Sequence, residues 1–228
     1  SHVTQINIGG ELLSYELAKD EKKIFRKANF YNFYGPTEFT INTTFHKINF
    51  NKKNYLDNNV PIGKPLSNNK FILKKTFKKN KYSELLLSGD QLMGGYTNAK
   101  NPFVKINKKI YYKTGDLVEE MEGGFIKIIG RNSEVINVGG EKVLPSEVES
   151  ILFQMPSIKD CIVFGESNPI TGQMVVAKVL YNEPLKISEI KKLVVGFCKN
   201  KLERYKIPAK IILMRESEFS ERFKKKRI

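Results

Sequence analysis

Cysteine is scarce in this chain: of 228 residues only Cys161 and Cys198 carry thiols, and both stand inside apolar segments. Two such thiols cannot build a multi-bridge framework, so reduced, buried core cysteines in a cytoplasmic protein are expected. No apolar run approaches the ~20 residues a membrane-spanning helix requires, which argues against a membrane partner. No leader peptide is expected, because positions 1–20 already read as strand, turn and helix start. His46 has no partner histidine or cysteine at metal-site spacing. A glycine-rich phosphate loop closed by Lys-Ser/Thr is also missing, and "LLLSGD" has the wrong context for one.

Acidic residues are the minority: 24 Asp and Glu face 39 Lys and Arg, for a formal charge of +15. Arginine contributes little of that excess. A reader of bases or phosphates deploys arginine and aromatics in one stripe, whereas these lysines are scattered as solvated faces. Nucleic acid is therefore not the expected partner, although the field attracts polyanions such as nucleotides at low salt. With 40% hydrophobic and 11% aromatic residues the chain is globular, long enough for one large or two ordinary domains.

Residues 3–8, "VTQINI", alternate like a strand and end at Gly9-Gly10. A helix follows from about Ser14, with Leu17, Ile24, Phe25 and Ala28 on one face. The runs "FTINTTFHKI", "NKFILKK", "SELLLSG", "KIYYKT" and "GGFIKIIG" then predict a small barrel or sheet layer, punctuated by Gly, Asn and Pro. Beyond Arg131 the rhythm changes. "SEVINV" reads as a strand and Gly139-Gly140 as a turn. "PSEVESILFQM" reads as a helix with Ser146 and Glu149 at capping-box spacing and Val148, Ile151, Leu152 and Met155 inward. Strands "KDCIVFGE" and "QMVVAKVLY" lead to a helix over 187–203 that faces inward with Ile190, Leu193, Val194, Phe197 and Leu202, and then to strand "KIILM". The order β-α-β-β-α-β describes a compact α+β domain, with the boundary near 130–133.

The stretch "NFYGPTEFT", residues 32–40, sets an aromatic, a Gly-Pro corner, a hydroxyl and a carboxylate side by side. Gly relaxes the backbone and Pro fixes its own φ, so the corner is rigid. An aromatic face, a hydroxyl donor and an anionic ligand on one corner suit a nucleotide with its metal. A surface loop between helix and strand is the alternative.

Five separated motifs, "NFYGPTE", "ELLLSGDQLMGGY", "YYKTGDL", "GRNSEVINVGGEKVLPSEVE" and "ERYKIP", follow one another as in the AMP-forming adenylating enzymes. The chain resembles that superfamily of acyl-CoA synthetases, amino-acid adenylation domains and luciferases from Gly9 to Arg227. The likeness covers the C-terminal half of the family's usual length. It implies an α/β and α+β architecture: 1–130 as the end of the large AMP-binding domain, a helix with barrel-like strands, and 131–228 as the small mobile C-terminal domain. The reaction it implies is acyl- or aminoacyl-adenylate formation from ATP and a small carboxylic or amino acid, then transfer to a thiol. ATP and Mg²⁺ are the implied cofactors, with CoA or the phosphopantetheine of an acyl carrier protein as acceptor.

Residue by residue, the resemblance makes Gly9, Gly10 and Glu11 the adenine-edge segment, against an ordinary strand-to-helix turn. Asn32, Phe33, Tyr34, Gly35 and Pro36 form the nucleotide corner, where Tyr34 would stack on adenine or else pack in the core. Thr37 would meet phosphate and Glu38 would hold Mg²⁺, a hard cation that prefers oxygen. Asp116 would take both ribose hydroxyls, having two acceptor oxygens for a vicinal diol, against a turn-forming Asp. Arg131 would lie near ribose and phosphate, against a structural ion pair. Ser133 stands where the family has an Asp hinge, and Gly139, Gly140 and Glu141 match the turn beside the thiol tunnel. That turn resembles the CoA branch, whereas "NFYGPTE" resembles the amino-acid branch, so the acceptor stays open. In "SERFKKKRI" the catalytic lysine aligns with Lys224, with Ser220 and Arg227 in register. Phe223 replaces the family's glycine, and a solvated basic tail is the alternative reading. The family's Ser/Thr/Gly-rich phosphate-wrapping loop is absent, so the chain alone is expected to be inactive. A non-catalytic nucleotide- or carrier-binding module is the competing function.

Overall fold

The computed structural model describes residues 2–51, 59–77 and 82–215. The chain divides into two compact units, Ser1–Ile129 and Gly130–Ile228.

In the first unit, β1 (Gln5–Gly9) and β2 (Asn29–Tyr34) run parallel and are joined by α1 (Tyr15–Ile24). β3 (Thr44–Lys47) pairs antiparallel with β2, and β4 (Lys64–Pro65) completes the order β1-β2-β3-β4. A second sheet comprises β5 (Lys70–Lys75), β6 (Ser83–Ser88), β7 (Phe103–Ile106), β8 (Lys109–Met121) and β9 (Phe125–Arg131). Its order is β5-β6-β8-β7, with β9 also on β8, and a bridge between Gly63 and Ile126 joins it to the chain leading into β4. All six residues of β6 are buried, as its unbroken "LLL" requires. Phe39, Leu85, Leu87, Tyr112, Val118 and Ile126 share one core cluster there.

Two expectations for this unit hold only in part. The strand foreseen over "FTINTTFHKI" is cut to Thr44–Lys47, because Thr37–Phe39 forms a 3₁₀ turn and Thr40 and Ile41 adopt φ of 52° and 69°. The face foreseen for α1 holds for Phe25 and Ala28, which pack in the core, but Leu17 and Ile24 are exposed, and Tyr15 and Ala18 complete the packed stripe. Lys22 occupies that stripe as well. Its ammonium donates to the carbonyls of Arg26 and Ala28, both at 2.8 Å, and lies over the rings of Phe30 and Phe50. A lysine that buries its stem this way is invisible to a count of apolar residues. The helix starts where expected, with the Ser14 hydroxyl accepting from the Leu17 N–H at 3.2 Å.

The second unit is a five-stranded sheet carrying two helices. β10 (Ile136–Val138) and β11 (Glu141–Val143) form a hairpin, followed by α2 (Pro145–Leu152). The long hairpin of β12 (Ile158–Asn168) and β13 (Gly172–Tyr181) follows, then α3 (Ile187–Cys198) and β14 (Lys210–Leu213), parallel to β13. Val148, Leu152, Ile190, Val194, Cys161 and Cys198 all belong to its one core cluster, and both cysteines are free.

The capping box foreseen for α2 does not form. Leu144 is the N-cap, and the buried Glu149 carboxylate instead accepts the Val163 N–H of β12 at 2.9 Å. α3 stops at Cys198 rather than reaching 203, and Leu193 is exposed. Its first turn is closed by Glu189, which accepts from the Lys186 N–H at 2.9 Å. The mixed α/β character and the α+β second unit otherwise agree with the sequence reading.

Candidate functional site

The corner after β2 is built by backbone crossing. Thr43 N–H donates to the Tyr34 carbonyl at 2.8 Å, and Phe39 N–H to the Pro36 carbonyl at 3.0 Å. A Cβ on Gly35 would sit 2.1 Å from the Ile41 carbonyl oxygen, so only glycine passes there. Phe39 is completely buried and anchors the turn, which leaves Thr37 exposed and Glu38 half-buried at the surface. Asn32 works from inside: buried, it donates through Nδ2 to the carbonyls of Val60 at 3.3 Å and Pro61 at 3.0 Å. Its amide therefore braces the corner rather than facing a ligand. Phe33 stacks on Phe45 across β3 at 6.3 Å.

Gly9 pairs with Phe33, and a Cβ on it would approach the Phe33 carbonyl oxygen to 2.9 Å. Gly10 has φ of 99° with open space around it, and Glu11 is exposed beside it. Both glycines thus stand where glycine is needed, one for close approach and one for its backbone angle.

Asp116 reaches the same place from β8. Between Glu84 and Leu86 of β6 the β8 register slips, so that Thr114, Gly115 and Asp116 face one residue of the partner strand. Gly115 takes φ of 73° in this bulge. The Thr114 hydroxyl donates to the Leu85 carbonyl at 2.8 Å and accepts the Asp116 N–H at 3.0 Å. The buried Asp116 carboxylate then accepts the Tyr34 hydroxyl at 2.5 Å. Two residues 82 positions apart are locked together, which fixes the Tyr34 ring beside the carboxylate.

Two further phenols converge on Glu38, and sequence reasoning named neither. Tyr96 donates its hydroxyl to Glu38 Oε1, and that bond raises the Tyr96 phenol above its usual range. Tyr112, from β8, feels the same carboxylate: burial first, and then the Glu38 charge, push its phenol well above the ordinary value. The signals were present in "LMGGY" and "YYKTGDL", but only the glycines and the acid of those motifs suggest chemistry on sight. His46 lies edge-on to Phe125 at 5.4 Å, and burial lowers its imidazole to about 4.

Among the described residues no group of three His, Cys, Asp or Glu gathers. One half-buried carboxylate on an exposed corner fits Mg²⁺, which takes one or two protein carboxylates and completes its shell with phosphate and water.

Arg131 and Ser133 are exposed at the start of the second unit. Gly139 and Gly140, with φ of 59° and 93°, form the two-residue turn between β10 and β11, with Glu141 pairing Val138. Gly139 N–H donates to the Thr171 carbonyl at 2.8 Å, fastening this turn to the β12–β13 hairpin. In "ERYKIP", Lys206 bridges Glu147 at 2.6 Å and Glu203 at 2.8 Å. Burial opposes its charge, yet these two carboxylates hold its ammonium above the usual lysine range. Lys224, Ser220 and Arg227 lie outside the described residues.

Two family models match: AMP-binding enzyme over residues 1–97 and AMP-binding enzyme C-terminal domain over 147–224. The dapdiamide synthesis protein DdaD of Enterobacter agglomerans is 32% identical over 77% of this chain and 30% of its own length. Bacitracin synthase 3 of Bacillus licheniformis is 28% identical over 92% of this chain and 3% of its own. The o-succinylbenzoate CoA synthetase of Bacillus subtilis, solved with ATP and magnesium ion, superposes with a TM-score of 0.72 at 25% identity over 94% of this chain and 43% of that one. The chain thus spans less than half the length of these proteins. Motif order, fold and both family models agree: this chain belongs to the AMP-forming adenylating-enzyme superfamily.

Proposed function

We propose that this chain supplies the nucleotide corner and the small domain of an ATP-dependent carboxylate-activating enzyme. The substrate carboxylate attacks the α-phosphorus of ATP, pyrophosphate leaves, and a thiol sulfur then attacks the acyl carbon and expels AMP. The observation that carries the reading is the bond of Tyr34 to Asp116 beside the Gly35-Pro36-Thr37-Glu38 corner. One face for a base and one acceptor for a ribose diol stand there at a fixed separation, and preorganisation of this kind lowers the cost of binding.

In this reading Gly9, Gly10, Glu11 and Phe33 border the base, Thr37 meets phosphate, and Glu38 holds the cation that screens phosphate charge. Arg131 and Lys224 supply positive charge to ribose and to the transferring group. Residues 1–130 act as the end of the large domain and 131–228 as the small one, with Ser133 as the pivot and Gly139, Gly140 and Glu141 beside the thiol. The acceptor is CoA or the phosphopantetheine of a carrier protein, and the acid is a small carboxylic or amino acid.

Binding of fluorescent adenine and guanine nucleotides to the 228-residue chain tests the proposal. Adenine nucleotide is expected to bind more tightly. Asp116→Asn should weaken it roughly tenfold, since a hydrogen bond to a charged group contributes about 1.5–3 kcal/mol. Pyrophosphate exchange by this chain alone should be negligible, because no phosphate-wrapping loop is among its residues. Equal binding of both bases, with Asp116→Asn unchanged, would sink the reading.

A further inference from the structure

The loop between β6 and β7 carries the motif "SGDQLMGGY", to which the reaction as proposed gives no task. This loop is fastened to the nucleotide corner at three points. Met93 N–H donates to the Glu38 carbonyl at 2.9 Å, the Thr40 hydroxyl donates to the Gln91 carbonyl at 2.9 Å, and the Tyr96 hydroxyl donates to the Glu38 carboxylate. Tyr96 is itself placed by local structure. Its N–H donates to Asn101 Oδ1 at 2.5 Å, and the preceding Gly95, with φ of 129°, leaves room for the Asn101 amide where a Cβ would meet it at 2.8 Å. The loop therefore fixes an exposed tyrosine against one particular oxygen.

A free glutamate side chain loses up to about 2 kcal/mol of rotamer entropy on being ordered. A carboxylate already held by a donor has met most of that cost before a cation arrives. It also keeps acceptor capacity, since two carboxylate oxygens offer about four lone-pair sites. Donors behind a metal-binding carboxylate act in this way elsewhere, and losing one weakens the metal about 10- to 100-fold.

We infer that Tyr96 is a positioning residue for the divalent cation, holding Glu38 through Oε1 so that its remaining acceptor sites are presented to an ion carried on the nucleotide phosphates. The inference rests on the reading of Glu38 as the cation ligand.

Mn²⁺ serves as the probe. Binding of Mn²⁺·ATP to the full chain is followed by water-proton relaxation, and binding of metal-free ATP in chelator by competition with a fluorescent nucleotide. Tyr96→Phe removes one hydroxyl from a side chain that is 43% exposed, so the fold should persist, as a thermal melt will check. The variant should lose Mn²⁺·ATP affinity at least about tenfold more than metal-free ATP affinity. In a Glu38→Gln background the same change should add nothing, which a merely structural role would not produce. Equal losses with and without metal, no loss, tighter Mn²⁺·ATP binding, or a loss that persists in Glu38→Gln overturns the inference while leaving Glu38 as ligand. If Glu38→Gln itself binds Mn²⁺·ATP like the parent, the reading of Glu38 fails and the inference falls with it.

Discussion

His46 lies on β3 edge-on to Phe125, and the ammonium of Lys64 stands over the Phe125 ring, 4.8 Å from its centre. Burial disfavours the imidazolium, so the folded-state value falls from 6.5 to about 4. The sign follows from linkage. Between those values the unfolded chain binds a proton that the folded chain refuses, so stability rises with pH across the window and is lost as pH falls from 6.5 towards 4. The ring is partly exposed, which keeps the effect below one full proton's worth. Denaturant midpoints of the parent and His46→Gln should differ in slope between pH 4 and 6.5, the parent being steeper, and run parallel above that window. Parallel curves within the window would mean that the imidazole is protonated in the folded state. Cys198 shows the same physics without a consequence near neutrality: burial raises its thiol and leaves it inert in the core.

Among elements, the corner that runs from β2 through the 3₁₀ turn into β3 bears most on function, and its steric demands differ from position to position. Gly35 has no room, its would-be Cβ lying 2.1 Å from the Ile41 oxygen, a backbone atom that cannot swing away. Gly10 has room but a φ of 99°. Gly35→Ala should therefore cost about 1–3 kcal/mol, at the upper end of overpacking, whereas Gly10→Ala should cost only its backbone strain, about 1 kcal/mol. For a chain of this length, thermal midpoints should fall by about 2–4 °C per kcal/mol. Gly35→Ala losing no more than Gly10→Ala would contradict this picture of the corner. The turn itself was legible in "YGPTE", because Gly-Pro punctuation is local. The bulge that brings Asp116 to Tyr34 was not, since "YYKTGDLVEEM" reads equally well as a strand and a turn until β6 supplies its register. Tyr96 and Tyr112 were hidden for a related reason: their meaning lies in a carboxylate 58 and 74 positions away, where only folding can place it. The partly misassigned face of α1 has another cause, a half-buried lysine whose ammonium lies over the rings of Phe30 and Phe50. The starts of α1 and α3, the strand β6 and the Gly139-Gly140 turn rest on nearest-neighbour chemistry, and there the sequence reading and the structure agree.

At the scale of the whole molecule, the second unit gathers its core within its own stretch of chain. The core cluster of the second unit runs from Ile136 to Ile211, and its partly buried neighbours, Val138 to Ile207, lie in the same span. Helix α2 is tied to the turn before β14 by Lys206 and Glu147, so the unit is also closed by a charge pair. A segment of about 100 residues with a single core has the size of an autonomous domain. The first unit leaves Leu17, Ile24, Ile41, Phe45 and Ile110 exposed, the two helical residues on one side of α1. Exposed apolar area of this kind favours association. Because β9 ends at Arg131, a fragment beginning at Asn132 leaves that strand intact in the other piece. Residues 132–228 expressed alone should be monomeric, show mixed α/β circular dichroism and melt cooperatively. Residues 1–131 should instead self-associate at micromolar concentration, and Leu17→Glu with Ile24→Glu should reduce that association without lowering the melting midpoint. Size-exclusion chromatography with light scattering and thermal melts of the three proteins decide the matter. An unfolded 132–228 beside a monomeric, cooperatively melting 1–131 would show that the second core depends on contacts from the first unit, and that its closure around Ile136–Ile211 is insufficient to hold it.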